Sequence, residues 1–328
     1  MTPVADVSVV VVSWNTREYL ARCLAAIPVA APSLAVETIV VDNGSSDGTQ
    51  AMLAERFSQV CLVQNAENVG FGRGSNIGAR ASRGRALLFL NSDCELAPSA
   101  LATMLAALEA DPALGGVACR LLNPDGTLQP SVHEAFPSPW GVVGELFFRS
   151  SLRYVVYRSP VLNRALLWPT RRRHRRAHDV AWAGAACMLV PREAFEAVGG
   201  FDEGFLMYCE DIDLCKRLRD RGYRLRYLPE ASAVHHWGRS TEQRPAAMVL
   251  EAYRSRIRYF EKHFPGFGGA LARGLTSLEL RIRCAIFGLL ALLPSPQREA
   301  LETRGRASAA CLTSLRAAEP AGLPPGAR

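Results

Sequence analysis

Acidic side chains placed directly after an apolar run are the feature of this chain that most resembles chemistry. Ala86 to Glu95 reads Ala-Leu-Leu-Phe-Leu-Asn-Ser-Asp-Cys-Glu. Leu87 to Leu90 describe a buried central strand, and Asn91, Ser92, Asp93 and Glu95 follow without a gap. Carboxylates two positions apart at a strand end suit a hard divalent cation, Mg²⁺ or Mn²⁺, and such a cation holds a diphosphate. The competing explanation for Asp93 is a cap on the helix expected from near Pro98. Three further titratable positions stand at element ends. Asp42 closes a second strand, where it can accept an N–H or cap a turn. Asp211, after Glu210, opens a helix whose dipole an acid also complements. His235 ends a late strand, a position that packed or solvent-facing histidines also occupy.

These groups need elements to carry them. Val7 to Ser13 is a β-branched strand, and Thr16 to Ile27 sets Leu20, Cys23, Leu24 and Ile27 on one helical face. Glu37 to Val41 is a second strand before the dense turn Asn43 to Gly48, then a helix from Thr49 to Phe57. Val60 to Val63 is a third strand, followed by the glycine-rich stretch Asn68 to Gly78. Beyond Asp93 come a helix from Pro98 to Ala110 and a strand from Val117 to Leu121. This alternation predicts an α/β fold, a Rossmann-like, mainly parallel sheet with helices on both faces. Ligands then lie beyond the carboxyl ends of the strands, where Ser13 to Asn15, Asp42, Asn68 to Asn76 and Asn91 to Glu95 outline one cleft.

The pattern breaks from Asn123 to Asp179, where Pro137, Trp140, Phe147, Phe148, Tyr154, Tyr157 and Trp168 interleave with arginines. This predicts a long aromatic and basic insertion. Regular patterning returns with a strand over Val180 to Val190 containing Gly184 and helices over Arg192–Val198 and Glu210–Arg221. Short strands at Arg224–Leu228 and Ala231–Val234 follow, then a basic helix over Ala246–His263. After Pro294 the Ala, Pro and Gly-rich tail shows no pattern.

With 49% hydrophobic and 21% charged residues in 328, the chain has the composition of one large globular core plus an appendage. The absence of a basic leader before Val7 predicts a chain that stays in the cytoplasm. Nine scattered cysteines without a Cys-x-x-Cys pair predict free thiols rather than zinc or disulfides. The net charge of +7 gathers in Arg171 to Arg176 and around Arg254 to Lys262. No nucleic-acid-binding motif accompanies it, so anionic lipid or a diphosphate-bearing substrate is the expected partner, with a solvated loop as the alternative. No window reaches the roughly 18–20 apolar residues of a spanning helix. Cys284 to Leu293 reads instead as an interfacial or core helix.

The first strand is followed by Ser13-Trp14-Asn15-Thr16, not Gly-x-Gly-x-x-Gly, which excludes a dinucleotide fold; Gly70-Phe71-Gly72-Arg73-Gly74 lies in the wrong place. No Walker loop is present. Taken in order, Val-Val-Ser-Trp-Asn, Val-Asp-Asn-Gly-Ser-Ser-Asp-Gly-Thr, Asn-Val-Gly-Phe-Gly, Leu-Asn-Ser-Asp, Trp-Ala-Gly-Ala-Ala-Cys-Met-Leu, Gly-Gly-Phe-Asp-Glu, Glu-Asp-Ile-Asp-Leu-Cys and His-His-Trp-Gly-Arg-Ser resemble the inverting family 2 glycosyltransferases of GT-A fold. The likeness is strongest to their bacterial rhamnosyltransferase-like branch.

The resemblance implies a glycosyltransferase domain over 1–265. Its nucleotide-sugar half is 1–122, the insertion 123–179, and the acceptor and catalytic half 180–265; a helical extension with a flexible tail fills 266–328. It implies donor contacts from Ser13, Asn15, Asp42, Asn68, Gly70, Phe71, Asn76, Asn91 and Asp93, with Arg73 near the diphosphate. Asp42 would accept the ring N–H of uracil or thymine in a UDP or dTDP sugar. Asp93, Glu95 and His235 would hold Mn²⁺ or Mg²⁺, His236 would be a bystander, and Asp213 would be structural. Asp211 would be the general base, and Trp182, Gly184 and Glu210 would shape the acceptor pocket. The implied acceptor is a cell-surface glycan or a polyprenyl-diphosphate-linked one, met at the inner membrane face. A processive synthase is disfavoured, since no Gln-x-x-Arg-Trp occurs. A non-catalytic nucleotide-sugar-binding subunit is the alternative. A nucleotidyltransferase is excluded, because it would carry a basic glycine-rich loop after the first strand.

Overall fold

Alternating small and branched apolar residues dictate the sheet of this chain. The computed structural model describes residues 5–141, 172–236, 245–291, 305–306 and 308–313. The order is β1 (Val7–Ser13), α1 (Arg17–Ala30), β2 (Val36–Asp42), α2 (Thr49–Arg56), β3 (Cys61–Gln64), α3 (Phe71–Arg80), β4 (Ala86–Asn91), β5 (Cys94–Leu96), α4 (Ala100–Ala110) and β6 (Leu114–Leu122). Then come β7 (Leu128–Gln129), β8 (Val132–His133), β9 (His178–Val180), β10 (Trp182–Ala183), β11 (Cys187–Pro191), α5 (Arg192–Ala197), α6 (Glu210–Asp220) and β12 (Arg224–His235).

The main sheet runs β3-β2-β1-β4-β11-β6-β12-β5, with β7 on β6 and β9 on β12. β1 pairs in parallel with β2 and β4, β2 with β3, and β6 with β12, whereas β11 runs antiparallel to both β4 and β6. The two-residue period of a strand sends neighbouring side chains to opposite faces. Val9, Val11, Leu88 and Leu90 therefore pack under α1, α2 and α4 on one face. Val10, Leu87 and Phe89 pack with Phe195, Phe201, Leu214 and Leu218 on the other. Each fully buried Leu of β4 contributes about 1.5–3 kcal/mol over an exposed one.

Differences from the sequence expectation are local. Cys94 to Leu96 forms a strand of its own, antiparallel to β12, and α4 starts at Ala100 rather than Pro98. Arg224 to His235 is one strand with a register shift between Leu228 and Ser232, not two short ones. The expected strand over Val180 to Val190 is broken into β9, β10 and β11, and β10 pairs with β8 outside the main sheet. The insertion is not all patternless, since β7 and β8 lie within it. Its aromatics Phe147, Phe148, Tyr154, Tyr157 and Trp168 lie outside the described residues, as do Trp237 to Ser240 and the tail from 314.

Met1–Phe136 and Ser159–Arg244 make up one compact unit, and Pro137–Arg158 with Pro245–Arg328 a second. Helix α7 (Pro245–His263), expected within the first domain, thus groups with α8 (Phe267–Ala291). In that second unit Tyr253, Leu280 and Cys311 form a small core, and Arg256 reaches Glu279 at 2.7 Å. No described helix is long and apolar enough to cross a membrane.

Candidate active site

Polar residues at the strand tips of the first unit are laced together by hydrogen bonds. Ser13 Oγ and Thr16 Oγ1 are 3.1 Å apart, and Thr16 Oγ1 reaches Ser92 Oγ at 2.8 Å, tying β1 to the end of β4. The Asn15 amide donates to Ser45 Oγ (2.9 Å), and Asn15 Oδ1 accepts from the Ser46 amide (2.8 Å), tying β1 to the turn after β2. Asn15 takes φ 51° to do so. Asn43 Nδ2 donates to Asn68 Oδ1 and to the Gly70 carbonyl, each at 3.2 Å, so the loop after β3 joins the same edge.

The pairing of β5 with β12 sets His235 opposite Cys94, and the His236 amide donates to the Asp93 carbonyl at 3.0 Å. His235 Nε2 thereby comes within 3.2 Å of Asp93 Oδ1, with side-chain exposures of 6% and 9%. Asn91 Nδ2 lies 3.3 Å from the same ring nitrogen, and Gln129 Oε1 lies 2.7 Å from Nδ1. Beneath them, burial first and the Asp93 carboxylate second push the Cys23 and Cys94 thiols up, so both stay protonated. Glu95 Oε1 lies 2.7 Å from Nε2 of His236. Among the described residues no three His, Cys, Asp or Glu side chains are grouped to hold a metal. The Asp93 and His235 pair still fits Mg²⁺ or Mn²⁺. An imidazole nitrogen and a carboxylate oxygen this close are suitable donors, and such ions commonly take only one or two protein ligands beside substrate phosphates.

Asp211 lies in the first turn of α6, behind two successive residues with left-handed backbone, Tyr208 (φ 68°) and Cys209 (φ 63°). Such conformations in bulky residues cost energy and gather at functional sites. Burial pushes the Asp211 carboxyl above the ordinary carboxylate range, against hydrogen bonds from the Ile212 and Ala185 amides that favour the charged form. Its Oδ2 lies 3.7 Å from the point where a Cβ on Gly184 would stand. Two short links join this acid to the Asp93 and His235 pair. Ala185 bonds Asp211, while the next residue, Ala186, accepts the Asn91 amide at 2.9 Å. The Gly184 amide donates to the Ser131 carbonyl (2.8 Å), two positions from Gln129, which holds His235.

The other residues expected to contact the donor make contacts within the protein. The Asn76 carboxamide accepts the Phe201 amide, donates to the Phe201 carbonyl and reaches Glu203, so it pins the loop before α6. The Phe71 ring meets Phe201 edge-on at 5.7 Å. Arg73 pairs with Glu203 at 3.5 Å on the surface. Gly70 (φ 87°) lies so close to Leu206 that a Cβ would stand 2.3 Å from its carbonyl oxygen. Asn68 Oδ1 accepts the Gly70 amide at 3.0 Å and shapes that turn. Asp42 is 1% exposed, and its carboxylate accepts from Gln50 Nε2 and the Ser45 amide. Trp182 stacks on His133 at 3.8 Å and donates to the Ala135 carbonyl. Glu210 is buried against Gly72 at the start of α3. Asp213 is fully buried and accepts from Arg217 Nε at 2.8 Å, which is a structural role. A cavity of about 700 Å³ lined by Arg80, Arg192, Glu196 and Glu203 lies apart from Asp93 and Asp211.

Gln129, Ser131 and Ala185 are site residues that sequence reading missed. Asn123-Pro-Asp-Gly-Thr127 is a strong turn signal, and it marks the β6–β7 hairpin that delivers Gln129.

The family model for glycosyl transferase family 2 matches residues 8–199. An N-acetylglucosaminyl-diphospho-decaprenol L-rhamnosyltransferase of Mycobacterium tuberculosis is 29% identical over 313 residues, covering 91% of this chain and 98% of that protein. Rhamnosyltransferase WbbL of Escherichia coli K12 is 51% identical over 57 residues, 17% of this chain and 22% of its own. Among solved structures, a mannosyltransferase from Pyrobaculum calidifontis in complex with GDP-Man and Mn²⁺ aligns at TM-score 0.54 and 19% identity, covering 96% of this chain and 85% of that one. At that identity the likeness establishes the GT-A fold alone.

Proposed function

The chain belongs to glycosyltransferase family 2, is rhamnosyltransferase-like, and on that premise we propose that it transfers a hexose, rhamnose or a close relative, from a UDP or dTDP donor with inversion. The acceptor is a hydroxyl of a lipid-linked or surface glycan. The observation that supports this is the link through Ala185 and Ala186, by which the backbone beside the Asp211 carboxylate is hydrogen-bonded to Asn91, a neighbour of the His235 ring. The Mycobacterium tuberculosis relative, named for a diphospho-decaprenol acceptor and L-rhamnosyl transfer, supports the sugar and acceptor class.

Asp93 and His235 are the residues that would hold a divalent cation; the Mn²⁺ in the Pyrobaculum calidifontis complex supports a divalent cation in general. Bound there, it supplies charge neutralisation for the departing diphosphate. Asp211 takes the proton of the acceptor hydroxyl at Oδ2, the oxygen that faces Gly184. Gly184 leaves open the space beside that oxygen, so the attacking hydroxyl can reach it. The raised proton affinity of Asp211 suits it to this task, since a base with ordinary carboxylate affinity removes a hydroxyl proton less effectively. Asn91 and Gln129 orient the His235 ring.

The second unit supports contact with an anionic membrane surface. Leu278, Ile282, Ile286 and Leu289 are exposed along α8, with Arg281 on the same exposed side. Co-sedimentation with phosphatidylglycerol vesicles, lost in Ile282→Glu, tests that contact.

Thermal stabilisation by nucleotide sugars with and without MnCl₂ tests the donor class, because a ligand of the native state alone raises the melting temperature. Stabilisation by a dTDP or UDP sugar that needs the cation is expected. Indifference to every nucleotide sugar would remove the donor assignment.

A further inference from the structure

A chain of hydrogen bonds runs from the solvent-exposed turn after β6 to the ring of His235, and its direction is fixed at one end. Asp125 is a carboxylate and can only accept. It accepts from Thr127 Oγ1 at 2.6 Å and from the Thr127 amide at 2.9 Å, contacts that hold its carboxyl below the ordinary range. With its proton committed to Asp125, the Thr127 hydroxyl accepts from Asn123 Nδ2 at 2.9 Å. Asn123 must then turn Oδ1 the other way, where it accepts from Gln129 Nε2 at 3.0 Å. Gln129 in turn presents Oε1 to His235 Nδ1 at 2.7 Å. Flipping Asn123 would set oxygen against oxygen at Thr127 and N–H against N–H at Gln129, and flipping Gln129 would set oxygen against oxygen at Asn123, so each assignment follows from the one before it.

We propose that the hairpin from Asn123 to Gln129 is a positioning device that locks neutral His235 as its Nδ1–H tautomer, leaving Nε2 as a standing electron-pair donor beside Asp93. On the near side Asn91 Nδ2, a donor, lies 3.3 Å from Nε2, whereas Asp93 Oδ1 at 3.2 Å would accept from a protonated Nε2, so the bare state of this nitrogen depends on the hairpin holding Nδ1. An imidazole held by its far nitrogen with its near nitrogen bare is the arrangement that a metal-binding histidine requires. The inference rests on the cation reading above and adds to it the residues that prepare the ligand. Gln129, Asn123, Thr127 and Asp125 touch no reacting atom.

The test reads the tautomer directly. In metal-free protein labelled with ¹⁵N-histidine, long-range ¹H–¹⁵N correlation spectra at a pH where His235 is neutral should show a protonated-type Nδ1 and a bare-type Nε2. Gln129→Leu should mix the two tautomers and weaken binding of MnCl₂, measured with UDP or dTDP present, by about 10–100-fold. Gln129→Glu, which keeps an acceptor at the same reach, should restore both. Asn123→Ala, at the half-buried base of the exposed turn, should give an intermediate mixture and covers the case in which Gln129→Leu fails to fold. A protonated-type Nε2 in the unaltered protein, or a tautomer unchanged in both variants, would overturn the proposal. The expected tautomer without any Mn²⁺ binding would support the lock and overturn the cation reading alone.

Discussion

His235 Nε2 and Asp93 Oδ1, 3.2 Å apart, meet because β5 turns back to pair with the end of β12. Neither strand could do this alone. Asp93 follows the central strand of the sheet, while His235 ends a long strand that pairs with β6 on one side and, over its last three residues, with β5 on the other. A carboxylate and an imidazole that the chain keeps far apart in sequence thus share one buried corner.

Loss of activity toward low pH should set in above the ordinary carboxylate range. Burial raises the Asp211 pKa in the folded protein, so the base form is lost as pH falls through that raised value. The same shift works oppositely on stability. A folded carboxyl that binds its proton more tightly than the unfolded one gains stability as pH falls and loses it as pH rises through the folded pKa. Relative to Asp211→Asn, the parent protein should therefore become more stable on acidification from neutral pH, as paired thermal melts would reveal. A difference that does not change with pH would count against desolvation at Asp211.

Gly184→Ala should fold normally. Its new Cβ would stand 3.7 Å from Asp211 Oδ2 and 3.8 Å from the Ser131 carbonyl oxygen, which are ordinary contacts. The methyl nevertheless enters the space of the attacking hydroxyl, so kcat/KM for the acceptor should fall on the order of tenfold to a hundredfold with the melting temperature unchanged. Unchanged acceptor kinetics would separate Gly184 from the acceptor site.

Asn76→Ala should destabilise without altering donor binding. It strips partners from the Phe201 amide and carbonyl, for a loss of about 2–4 kcal/mol. Denaturant melts and the donor KM measure the two effects. A raised donor KM at unchanged stability would restore Asn76 to the nucleotide site.

Much of this architecture is legible in the sequence because it depends on local pattern. The runs at Val7, Ile39 and Leu87 alternate with helices of 3.6-residue period, and each strand ends in polar residues, which is enough to place the cleft edge. What escaped reading depends on partners distant in the chain. Glu95 keeps the same spacing from Asp93 whether it faces His235 or His236, and only the β5–β12 pairing decides between them. Asn76 and Phe71 lie in a glycine-rich stretch suited to cradling a nucleotide, yet the loop at Phe201 uses both. Gln129 carried no signal beyond the Pro-Asp-Gly turn before it, because its importance comes from His235.

Transfer by Asp211→Asn most directly tests whether the two linked clusters form one catalytic site. With donor, acceptor and MnCl₂ present, turnover should drop by roughly 10²–10⁴-fold while donor-induced thermal stabilisation persists. Turnover close to that of the unaltered protein would mean that another group removes the acceptor proton, and the assignment of Asp211 as base would be lost.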